Sequence, residues 1–300
     1  MNLPQTKIST GKFDAVFYTG TNDSDMSYIG TRFDRSGVSA SIKFDDVEFF
    51  GKWTNQTDKT FHDAISGAVE EFTQVGYESA KVGESFLKIG IGILQKDSSQ
   101  PYNFRYTYPV LNSGERKVEE IENGVKFIHI LNDKNYSYTY QKTISFDASI
   151  ARMTISHTLK NTGISPISTA VYNHNFLTFD SNIGTSTNVK AKFNWNGEQI
   201  AGFNNLAEIK SDLIALKSSI PEGDFVLLKN IQTPNTIEVY DILAESKVVE
   251  KVRQVRITSD KPNSKMNFWV SPTCVCPEPF TDINIEPTQQ FSWNIYYDFK

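Results

Sequence analysis

The chain has little of what usually announces a function. Of its 300 residues only two are cysteines and four are histidines. Cys274 and Cys276 lie two apart in "SPTCVCPEP". On a strand that spacing puts both thiols on one face, with poor geometry for a mutual disulfide, and no further metal ligands lie nearby in sequence. They read as two reduced thiols near a strand end. No segment approaches the roughly eighteen continuous apolar residues of a membrane helix. The opening "MNLPQTKISTGKFDAVFYTG" also lacks the basic-then-apolar pattern of a leader, so the expectation is a cytoplasmic protein with no membrane partner. An excess of cations is missing too. The formal charge is −5, with lysine and arginine spread among carboxylates, which excludes the clustered cationic face that nucleic acid requires. No Pro- or Gly-rich linker, low-complexity tract or fixed-period repeat divides the sequence, and the reading is one domain spanning 1–300. Helical periodicity is scarce. Only "NNLAEIKSDLIALKSSI" (204–220) carries it, and that stretch reads either as one short helix or as two short strands turning at "KSD".

What the chain does have is aromatic residues, 21 Phe and 13 Tyr, and apolar–polar alternation almost end to end. Period-two runs occupy "SASIKFDDVEFF" (39–50), "YSYTYQKTISF" (136–146), "ARMTISHTL" (151–159), "NVKAKFNWN" (188–196), "EKVRQVRITSD" (250–260) and "FSWNIYYDF" (291–299). Turn signals separate such runs at "DRSG" (34–37), "NSGE" (112–115), "ENG" (122–124), "KNTG" (160–163) and "KPNSK" (261–265). The spacing predicts successive antiparallel hairpins. About eighteen or more strands in one domain require two large packed sheets, because a single open sheet of that size would curl or split. The fold class is all-β.

"AVYNHNFLTFD" (170–180) sets a histidine between two asparagines in a strand-like run. On a strand Tyr172, His174 and Phe176 share one face, while Asn173, Asn175 and Leu177 share the other. Two buried asparagines need hydrogen-bond partners, so they either brace the chain or meet a polar ligand. His174 reads either as a satisfied core residue or as a proton donor. His157, in register with Met153, Ile155 and Leu159, and His129, within an apolar run, read as core residues. His62, in "TFHDAISG", reads as a loop residue that caps, is exposed or joins a site.

Taken together, "HTLKNTG", "VYNHNF" and the C-terminal "SWNIYYDF" resemble the aldose 1-epimerase (galactose mutarotase) superfamily, in a divergent form that lacks the His-Gly-Gly segment of the best-known mutarotases. The resemblance implies a β-supersandwich of two large antiparallel sheets. It places "GTRFDRSGVSASIKFDDVEFFG" (30–51) in an early hairpin and makes 65–94 a loop-rich region feeding a sugar cleft. It also implies a small-molecule sugar as ligand and interconversion of its α and β anomers without a cofactor. That chemistry needs a base for the C1 hydroxyl and an acid for the ring oxygen. His174 matches the family's Asn-His motif and takes the acid role. Glu278, between Pro277 and Pro279 on what reads as a stiff loop, is preferred as base over Glu286, which reads as solvated in a turn.

Candidates for holding sugar hydroxyls are Arg32, Glu70, Glu71, Lys88 and Asn175, with His62 a poor stand-in for the second histidine. Of these, Arg32 and Glu70 read in isolation as solvated. Lys88 enters an apolar strand and must either pair with a carboxylate such as Glu71 or face a ligand. Convergence of Arg32, Lys88 and Arg105 would favour a phosphosugar, and Trp53 and Trp269 read as packing residues rather than a stacking platform.

Overall fold

The computed structural model describes residues 3–22, 25, 29–54, 66–181, 187–191, 198–200, 203–210, 212–231, 239–248 and 251–300. Almost all of the regular structure is antiparallel strand. A ten-stranded sheet runs, in spatial order, Ala207–Lys210, Leu213–Leu216, Thr187–Ala191, Val239–Val248, Lys251–Pro262, Gln290–Phe299, Arg152–Asn161, Tyr138–Asp147, Gly124–Leu131, Glu115–Ile121. A six-stranded sheet runs Glu198–Ile200, Val226–Ile231, Lys265–Val270, Val275–Ile285, Ile167–Asn175, Ala68–Phe72. These are the two large sheets that the alternation called for. A four-stranded sheet (Gln5–Thr10, Phe13–Tyr18, Ser39–Phe44, Val47–Glu48) and a three-stranded one (Ser85–Lys88, Gly92–Gln95, Val110–Asn112) complete the set.

The alternation works as written. Along Tyr138–Asp147 every second side chain is buried, and Arg152–Asn161 repeats the pattern in register with it. The turn at "ENG" is a two-residue hairpin loop closed by Ile121 opposite Gly124, with Asn123 at φ 50°, a conformation its short polar side chain tolerates. Residues 204–220 divide between both readings. A single helical turn, Phe203–Leu206, leads into a hairpin whose strands meet as Ala207–Lys210 and Leu213–Leu216. Within 65–94 the loops are interrupted by the strand Ala68–Phe72 and the hairpin Ser85–Lys88 with Gly92–Gln95.

The inner faces of the two large sheets meet through Phe72, whose ring lies 5.5 Å from Tyr140 and 6.2 Å from Trp293. The four-stranded sheet adds Phe13, 5.0 Å from Phe146 and 5.3 Å from Phe299. Each fully buried aromatic of this kind contributes about 2–3 kcal/mol through removal of apolar area from water. The outer face of the six-stranded sheet carries a separate apolar cluster, built on Phe33, Val69, Phe176 and Cys276 with Trp53 and Trp269 against it. The candidate site lies beside that cluster.

Candidate functional site

Strand parity sorts the Asn-His-Asn segment into two jobs. His174 points to the outer face of the six-stranded sheet and the asparagines point inward, between the sheets. His174 Nε2 lies 3.1 Å from Glu278 Oε1, and the two side chains are only 5% and 7% exposed. The imidazole is held by aromatic rings: Phe176 stacks on it at 3.9 Å, while Phe33 and Trp269 meet it edge-on at 5.5 and 5.6 Å. Trp53 stacks in turn on Phe176 at 5.2 Å, so both tryptophans pack.

Glu278 lies inside the strand Val275–Ile285, not on a loop. Its flanking prolines, which suggested the loop, are accommodated because the ladder to Ile167–Asn175 runs only from Ile167 opposite Ile285 to Tyr172 opposite Phe280. It lapses across the prolines and resumes as the single bridge of Leu177 with Val275. In the gap the Asn175 side chain stands in for the missing backbone donor. Asn175 Nδ2 donates to the Pro277 carbonyl at 2.7 Å, and Tyr297 Oη, from the opposing sheet, donates to Asn175 Oδ1 at 2.8 Å. Asn175 is therefore a brace on the backbone next to Glu278, not a group facing a ligand. Glu286, by contrast, is exposed in the turn that follows the strand.

One strand further out, Glu71 opposes Tyr172 and gathers three partners. Arg32 Nε donates to Glu71 Oε2 at 2.6 Å, Lys88 Nζ lies 3.3 Å from Oε1, and Tyr172 Oη donates to Oε2. Burial raises the Glu71 carboxyl, but the two cations and the tyrosine outweigh it and hold the group at about 2. Burial also lowers Lys88, an effect that the Glu71 charge partly offsets. Arg32 is not solvated: its guanidinium sits between the rings of Phe33 and Phe104, 4.5 and 4.4 Å away. Lys88 resolves as the partner of Glu71. Arg105 is exposed beside Phe104, so the three cations do not form a phosphate cradle.

Glu70, next in sequence to Glu71, points the opposite way and is fully buried between the sheets. The expectation of a solvated or sugar-facing Glu70 is overturned by parity, since adjacent residues on a strand cannot share a face. It pairs with Lys142, accepts from Asn173 Nδ2 at 3.1 Å and lies 2.9 Å from His157 Nε2. Lys142 also donates to the Ser36 carbonyl at 2.8 Å and lies 3.8 Å from Asp34. Burial pushes the Asp34 carboxyl up and the His157 imidazole down. His129 is likewise buried, 2.9 Å from Tyr138 Oη and 2.8 Å from the Ser113 carbonyl. The thiols of Cys274 and Cys276 are reduced and buried, 3.9 Å apart. His62 lies outside the described residues. Lys142 and Tyr297 were the residues sequence reasoning passed over. Lys142 was legible as a cation in the apolar row Tyr140, Ile144, Phe146; Tyr297 carried no such signal.

A recess of about 540 Å³ lies elsewhere, on the ten-stranded sheet, lined by residues including Arg152, Asp241, Arg256 and Asp298. Its arginines are held in forked pairs, Arg152 with Asp298 and Arg256 with Asp241, and Lys190, Lys300 and Asp212 complete its charged lining. On the outer face of the six-stranded sheet, by contrast, a buried imidazole meets a buried carboxylate, His174 with Glu278. Among the described residues no group of histidine, cysteine and carboxylate side chains could hold a metal ion, and no helix is long and apolar enough to cross a membrane.

With this geometry in view, similarity to solved structures becomes informative. A galactose mutarotase-like protein from Clostridium acetobutylicum superposes with a TM-score of 0.56, covering 98% of this chain and 94% of that one at 12% identity. The fold is galactose mutarotase-like. An aldose epimerase homologue from C. elegans gives 0.55 over 99% and 98% at 12% identity. A galactose mutarotase-like protein from Lactobacillus casei gives 0.53 over 99% and 100% at 14%. At such identities the likeness is one of mutarotase-like architecture. No family model and no curated protein sequence matches the chain.

Proposed function

We propose that this chain, read as one mutarotase-like domain over 1–300, interconverts the α and β anomers of a hexose or related sugar by general acid–base ring opening. The observation that carries this reading is the His174–Glu278 pair, 3.1 Å apart on one sheet face beside an aromatic cluster. A sugar bound against the pair would give Glu278 the C1 hydroxyl proton while His174 protonates the ring oxygen. The C1–O5 bond then breaks, the open aldehyde rotates about C1–C2, and reclosure on the other face returns both protons. Each proton transfer by a positioned group of this kind contributes roughly 10²–10⁴ in rate. The roles of Arg32 and Tyr172 follow from their contact with Glu71: they order the edge of the site next to His174.

The test is the α-to-β exchange rate of glucose and galactose by NMR exchange or polarimetry, for the wild type, His174→Ala and Glu278→Gln. Acceleration that falls by about 10² or more in both variants supports the reading. Acceleration retained in either one removes that residue from its role. Sugar binding without acceleration in the wild type replaces the enzyme with a non-catalytic carbohydrate-binding protein of the same fold.

A further inference from the structure

Three cations border the candidate site on the outer face of the six-stranded sheet, and two of them share one carboxylate. Arg32 and Lys88 both meet Glu71. The third is Lys265, first residue of the strand Lys265–Val270, half-buried and directly opposite Phe280. Phe280 stacks on Tyr172 at 4.3 Å, so a continuous row runs Glu71, Tyr172, Phe280, Lys265 across four strands. The neighbouring row carries His174, Glu278 and, opposite Glu278, Asn267.

The Lys265 ammonium lies 4.7 Å from the Phe280 ring centroid, and among the described residues no carboxylate comes within ion-pair distance of it. Asp282, two residues beyond Phe280 on the same face, accepts instead from Ser264 Oγ at 3.0 Å. Lys265 is thus a cation with a ring beneath it and no ion-pair partner among the described residues. Strand geometry fixes its distance from the reacting pair. Lys265 and Glu278 sit on adjacent strands, two residues out of register, so a ~4.8 Å strand spacing and a ~6.7 Å two-residue step put their backbones about 8 Å apart. That is comparable with the span of a hexopyranose from its anomeric oxygen to a substituent carried on C5.

We propose that Lys265 is a specificity residue that selects an aldose bearing an anionic group, carboxylate or phosphate ester, at the end of the molecule remote from C1. The proposal rests on the reading of His174 and Glu278 as the groups that address C1. A compact ammonium suits either anion as a point charge, and its partial burial against Phe280 weakens competition from water and salt.

The experiment measures binding separately from turnover. Dissociation constants of glucuronate, glucose 6-phosphate and glucose are determined by ligand-observed NMR titration against the wild type, Lys265→Gln and Lys265→Arg. The expected result is roughly ten- to hundredfold tighter binding of at least one anionic sugar than of glucose. The ratio should collapse in Lys265→Gln, survive in Lys265→Arg, and shrink with added salt. A tighter glucuronate identifies the carboxylate, and a tighter glucose 6-phosphate the phosphate. Equal affinities for all three sugars in the wild type, no binding of any, or a ratio unchanged in Lys265→Gln would overturn the proposal. Anionic preference that depends on Lys265 without anomer exchange would retain this assignment and reject the catalytic one.

Discussion

Replacing Glu71 with glutamine keeps its shape and removes its charge, leaving Arg32 and fully buried Lys88 facing each other without a counter-charge. Removing one partner of such a buried pair costs about 3–5 kcal/mol at neutral pH. The pH dependence gives a second number. The Glu71 carboxyl has an ordinary value of 4.5 and sits at about 2 in the fold, where burial opposes the lowering and Arg32, Lys88 and Tyr172 overcome it. Between those values the unfolded chain holds the proton and the folded chain does not, so stability falls as pH falls. A lowering of that size corresponds to about 3 kcal/mol, fully present above roughly pH 5 and lost as pH drops toward 2. Urea unfolding at pH 7, 5, 4 and 3 for the wild type and Glu71→Gln is the assay. The gap between the two curves should be about 3–5 kcal/mol at pH 7 and should narrow steadily below pH 5. Adding Lys88→Met to Glu71→Gln should recover part of the loss, because it removes the stranded ammonium. A gap below about 1 kcal/mol at pH 7, or one that stays constant with acid, would refute the view that Glu71 is the counter-ion of both cations.

Asn175→Ala should lower stability by about 1–3 kcal/mol, since it strands the Tyr297 hydroxyl and the Pro277 carbonyl between the sheets. If Asn175 positions Glu278, anomer exchange should lose kcat with little change in KM, whereas a purely structural role would leave the kcat of the folded fraction intact. Lys142→Met should cost about 3–5 kcal/mol in urea unfolding, because it removes the lysine counter-charge of buried Glu70 and leaves the carboxylate to Asn173 and His157. Glu286→Gln, in its exposed turn, should change stability by less than about 0.5 kcal/mol and leave the exchange rate unaltered, in contrast to Glu278→Gln.

Period-two alternation made the two sheets legible, because one buried face per strand is a local property. Turn residues such as those at "ENG" were legible for the same reason. The pairing of His174 with Glu278 was reached through the family resemblance, and the loop assigned to Glu278 was wrong because two prolines normally end a strand. Here they fall where the ladder lapses and an asparagine side chain takes over. Glu70 could have been separated from Glu71 by parity alone. Its partner Lys142, 72 residues away, could not be named, since a contact between facing sheets leaves no local pattern.

The strand Ala68–Phe72 forms one edge of its sheet, the position from which β proteins most readily mispair, swap or aggregate. Its consecutive glutamates make a register slip prohibitive. A shift of one residue would turn Glu70 away from Lys142 and Glu71 away from Arg32 and Lys88, breaking the pairing of five charges in one movement. The two carboxylates act as a two-sided key, seating this edge in a single alignment and giving competing strands no partial match.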